Sequence, residues 1–129
     1  MPAETQKIAM QLDADTRFSA AAGGVGRYFA DAAGLANSAV SGLQSAIVAM
    51  CNREVERIGD SAQRLDVTVT RSPDRIEVVM RRRATRGSGK DTEEQGTVTG
   101  VDRVQHETQA DMAITRLTKY VGEQASAGS

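Results

Sequence analysis

Few residues in this chain have the type and spacing for chemistry. His106 is the only histidine. It has no second histidine or cysteine at ligand spacing, so neither a metal centre nor a histidine-based catalytic dyad is built on it, and it reads as a sheet-surface residue. Cys51, the one cysteine, lies on the apolar side of a helical pattern, where a thiol behaves as a small hydrophobe. Gly87-Ser88-Gly89-Lys90 holds a fragment of the phosphate-loop pattern. That loop needs a glycine five positions before Gly89, where Ala84 stands, and a Ser or Thr where Asp91 stands, so the fragment reads as a charged loop. Gly23-Gly24-Val25-Gly26 lacks dinucleotide-binding spacing and does not follow a strand directly; its glycines suit close helix packing. Arg81, Arg82, Arg83 and Arg86 present guanidinium forks that match phosphate or an acidic partner surface. The plainer alternative is a solvated strand end. Asn52 is the polar residue set most deeply in an apolar helical stripe, and taken alone it reads as an asparagine at the edge of a core.

The elements that position these residues follow from hydrophobic periodicity. Ile8, Met10 and Leu12 alternate with polar neighbours and predict a first strand. Asp15 or Thr16 suits the cap of a helix carrying Phe18, Ala21, Val25, Tyr28, Phe29 and Ala32, and Gly34-Leu35 forms its stop signal. From Asn37 or Ser38, Val40, Leu43, Ile47, Met50, Cys51 and Ile58 recur at helical intervals and predict a long buried helix ending at Gly59-Asp60. Leu65, Val67 and Val69, then Ile76, Val78 and Met80, alternate on either side of Arg71-Ser72-Pro73-Asp74-Arg75 and predict a β-hairpin. From Arg81 to Gly100 the chain reads as a polar loop with a short helix near Thr92–Val101. Two β-like runs, Arg103–Thr108 and Met112–Val121, then predict a second hairpin around Gln109-Ala110-Asp111.

The 129 residues suit one domain, 1–122, with a small polar tail at 123–129 that reads as disordered. Hydrophobic residues make up 40% and charged residues 26%, which excludes an intrinsically disordered chain, and with 3% aromatics the core must be aliphatic. A net charge of −1 supplies no overall field toward nucleic acid or an anionic membrane. No apolar run approaches the ~20 residues of a membrane span, and the first residues do not pattern as a signal peptide. Together with the lone cysteine, these features predict a cytoplasmic protein.

The order of elements and several stretches resemble the GHKL (histidine-kinase-like) ATPase domain of bacterial anti-sigma-factor serine kinases of the RsbW type. The resemblance runs from about Lys7 to Val121 and is carried by KIAMQLDADTRFSAAAGGVGRYFADAAGL, by LQSAIVAMCN, by DVTVTRSPDRIEVVMRRRA and by VDRVQHETQADMAITRLTKYV. It implies an α+β fold, a two-layer α/β sandwich with helices on one face of a mixed four- or five-stranded sheet. It also implies that Asn52 matches the family's magnesium-binding asparagine. The family places an acidic base four positions earlier, where this chain has Val48. Its adenine-binding aspartate falls at the end of the second hairpin strand, where this chain has Arg81-Arg82-Arg83-Ala84. Its glycine-rich phosphate box has become DTEEQGTVTG. With base, adenine anchor and phosphate loop all replaced, the expectation is a degenerate member without kinase activity or cofactor. Such a chain would bind a protein, by resemblance a sigma factor or a STAS-domain antagonist, and the resemblance also implies a homodimer. The alternatives are an active ATP- and magnesium-dependent serine kinase, and a structural homodimer of unknown ligand.

Overall fold

The computed structural model describes residues 5–58, 64–83 and 99–121. Strand β1 (Gln6–Asp13) leads through a 3-10 turn (Thr16–Phe18) into helix α1 (Ser19–Ala32), followed by helix α2 (Asn37–Ile58). Strands β2 (Arg64–Arg71), β3 (Arg75–Arg83), β4 (Arg103–Gln109) and β5 (Met112–Tyr120) complete the order. The Asp15 carboxylate accepts the Arg17 amide and caps the 3-10 turn. Helix α1 ends as its glycine stop predicts. Gly34 takes φ +84, its N–H donates to Asp31 O, and the Leu35 N–H reaches back to Ala30 O at 3.2 Å, which satisfies carbonyls left open by the last turn.

The result is an α+β arrangement of two helices and one five-stranded sheet in the order β1-β2-β3-β5-β4. Every pairing is antiparallel, which corrects the expectation of a mixed sheet. The reason lies in the connection between β1 and β2. A single crossover helix would deliver a parallel strand, whereas α1 and α2 together carry the chain out and back, so β2 starts where β1 ended. The second correction concerns Arg81–Arg83, expected as the start of a loop. They continue β3, laddered to β5 through Arg81↔Ile114, Arg82↔Ala113 and Arg83↔Met112. The expected loop body, the short helix near Thr92–Val101 apart from its last residues, Gly59-Asp60 and the 123–129 tail lie outside the described residues.

One core forms between the helices and the sheet. Leu65, Val67 and Val69 of β2, Ile76, Val78 and Met80 of β3 and Leu117 of β5 are all fully buried against Phe29, Val40, Leu43, Ile47, Met50 and Cys51. The ladder register places these strand residues side by side on a single face, so both helices cover that face. The helices approach closely at glycines. A Cβ on Gly23 would meet Val48 Cγ2, and one on Gly26 would collide with Ile47 Cδ1. Gly100, at φ +104, brings the backbone before β4 against Gly42 in the first turns of α2, where any Cβ would strike the Gly42 carbonyl.

Candidate functional site

The arginine run on β3 is divided by the pleat of the strand. Inward positions are Ile76, Val78, Met80 and Arg82; Arg81 and Arg83 project from the other face. Arg82 is buried beneath α2. Its Nε donates to Glu54 Oε1 at 2.7 Å, and both side chains are 1% exposed. The second carboxylate oxygen accepts from Arg57 Nη1 at 3.5 Å, so one acid serves two guanidinium groups. Among the described residues no buried side-chain nitrogen or oxygen lacks a partner. Arg82 therefore leaves the exposed partner or anion contact expected of it. Arg86 lies outside the described residues.

The other expected residues sit nearby on α2. Val48 packs between the helices against Gly23. Asn52, half-buried two residues before Glu54, accepts the Ser19 hydroxyl on its Oδ1 at 2.6 Å. Cys51 is fully buried, with its thiol 3.9 Å from Met80 Sδ. Burial, and secondarily the Glu54 charge, push that thiol up to about 12. At neutral pH it is a protonated apolar group and no nucleophile. His106, half-buried on β4, places Nδ1 3.1 Å from Thr115 Oγ1. No group of three or more potential metal ligands occurs among the described residues.

The face of the sheet away from the helices carries the remaining arginines. Asp66 and Arg81 are direct partners across the β2–β3 ladder, with Gln11 beyond Asp66 on β1 and Ile114 beyond Arg81 on β5. A shallow groove over this row is lined by Gln11, Arg64, Asp66, Arg81, Arg82, Arg83 and Met112. A second groove sharing Gln11, Asp66 and Arg81 continues it toward Ala9 and Thr68. Arg64 and Arg83 hold loose, exposed ion pairs with Asp13 at 3.4 Å and Asp111 at 3.8 Å. Neither Arg81 nor Arg116 pairs with an acid among the described residues, although each stands on this face.

Sequence reasoning missed Glu54, Arg64 and Arg116. The signal for Glu54 was present: an acid on the same helical stripe as Met50, Cys51 and Ile58, matched by an arginine at the fourth inward position of β3. Arg64 and Arg116 join the cluster only through strand pairing, which local pattern does not reveal. No protein-family model matches the chain, and a search of curated proteins finds no match. No helix among the described residues is long and apolar enough to cross a membrane.

Proposed function

We propose that this chain is a protein-binding regulatory module that works without nucleotide, built on a GHKL-like two-layer framework and resembling an anti-sigma factor. The observation that carries this reading is the buried Arg82–Glu54 pair. At the end of β3, where the resemblance calls for an acid to accept the adenine amino proton, the inward residue is a cation. A guanidinium only donates hydrogen bonds, so it offers that amino group no acceptor. Glu54 in turn is committed to Arg82 and Arg57. Two further facts support the reading. The Val48 side chain lies between the helices and has no proton-accepting group, and the Asn52 carbonyl oxygen already accepts the Ser19 hydroxyl. By resemblance, the partner is a sigma factor or a STAS-domain antagonist.

The test is a melting curve with and without Mg-ATP. A ligand at 100 times its dissociation constant stabilises the fold that binds it by about 2.7 kcal/mol. The expected result is no shift and no change in the amide signals around Asn52. A saturable, salt-resistant and adenine-selective rise in Tm overturns this reading in favour of an ATP-dependent serine kinase.

A further inference from the structure

The sheet face away from α1 and α2 carries a charge bias opposite to that of the whole chain. The chain has a net charge of −1. On this face Arg64, Arg81, Arg83 and Arg116 cluster across three adjacent strands, with Lys7, Arg75 and Arg103 further out, against Asp13, Asp66, Glu77 and Glu107. A groove runs over Arg64, Arg81 and Arg83, Arg116 stands on the neighbouring strand outside it, and neither Arg81 nor Arg116 has an acidic partner among the described residues.

We propose that this face docks an acidic, extended segment of a polypeptide partner, with its carboxylates taken by Arg81, Arg83 and Arg116. The spacing fits an extended chain. Arg81 and Arg83 are two residues apart on one strand, about 7 Å, which is the repeat of same-side residues along an extended peptide. Arg116 stands one strand over, opposite Val79, two positions along from the Arg81↔Ile114 pair. Val79 and Met112, both half-buried, lie beside the arginines and give the segment apolar side chains to cover. Each arginine can grip a carboxylate in bidentate fashion. A nucleic-acid backbone fits less well, because Asp66 and Glu107 lie within the same rows and would repel a continuous run of phosphates.

The proposal rests on the reading of the chain as a protein-binding module and gives it a location. The two fail separately: an adenine-selective shift with Mg-ATP defeats the module reading, whereas the following assay reports on the sheet face alone. A fluorescein-labelled peptide of alternating glutamate and threonine is titrated with the intact protein at low ionic strength, followed by anisotropy. The expected result is saturable binding that weakens with salt. It should weaken by at least about tenfold in Arg81→Gln/Arg116→Gln, a loss of about 1.4 kcal/mol. It should be unchanged in Arg27→Gln, an exposed arginine on α1. Neither arginine of the double variant pairs with an acid among the described residues, so the fold should survive, and circular dichroism of the double variant checks this. Absence of binding, equal binding by the double variant, or tighter binding of an oligothymidylate of similar length each overturns the proposal.

Discussion

Arg82 and Glu54, from the end of β3 and the last turns of α2, meet at 2.7 Å with neither side chain open to solvent. Withdrawing two charges from water is unfavourable, and their attraction only offsets it when geometry and further hydrogen bonds are good. Here Arg57 supplies one of those bonds. Removing one partner strands the other, so Glu54→Ala should destabilise by about 3–5 kcal/mol against a total of about 5–15 kcal/mol. The double replacement Glu54→Leu/Arg82→Met should recover most of that loss. Urea denaturation of the three proteins measures both; a double variant as unstable as the single would show that the pair itself supplies the stability.

Ile47 occupies the middle of the buried stripe of α2 and fills the space left by Gly26 on α1. Ile47→Asp places a carboxylate in that apolar interior, which costs several kcal/mol and should unfold the domain. Far-ultraviolet circular dichroism at room temperature reads the outcome.

Cys51 gives a pH signature. Its thiol is raised in the fold from an ordinary 9.0 to about 12, so the folded state holds the proton more tightly than the unfolded chain. The stability tied to that proton is whole below pH 9 and is lost as pH rises toward about 12. Cys51→Ala should therefore flatten the alkaline fall in Tm over that window, while lowering Tm at neutral pH through the lost packing. At pH 8 the native thiol should react with a disulfide reagent only after denaturant is added.

Ala110, in the tight turn between β4 and β5, has φ 55, a left-handed conformation that a Cβ makes unfavourable. Ala110→Gly relieves the strain while adding freedom to the unfolded chain, and the net should be a gain of about 0.5 kcal/mol. A lower Tm in this variant would show that the turn relaxes by another route.

Much of the fold was legible because its signals are local. The Gly34-Leu35 stop, the long stripe of α2 and the two hairpins each rest on residues within a few positions of one another. What was missed depends on pairing over distance. The polarity of Arg81–Arg83 argued for a loop, and only the β5 ladder and a carboxylate from α2 make a strand there favourable. The parallel-versus-antiparallel question likewise turned on how two helices return the chain, not on any residue in the strands. For the site, the run of arginines was visible but its division into one buried and two outward residues was legible only once the inward alternation of β3 was carried past Met80.

Strand β1 joins β2, its one neighbour among the described residues, across the whole length of both helices, and apart from Leu12 it is largely exposed at the sheet edge. The β2–β3 hairpin, by contrast, closes over a turn of three residues, Ser72 to Asp74. Loop-closure entropy therefore favours the hairpin as the early structure and leaves β1 to dock after the helix pair has formed. The same asymmetry governs native-state opening: the amides of β1 should exchange with solvent at a lower free energy than those of β3, so the sheet unravels from its amino-terminal edge while its centre stays shut.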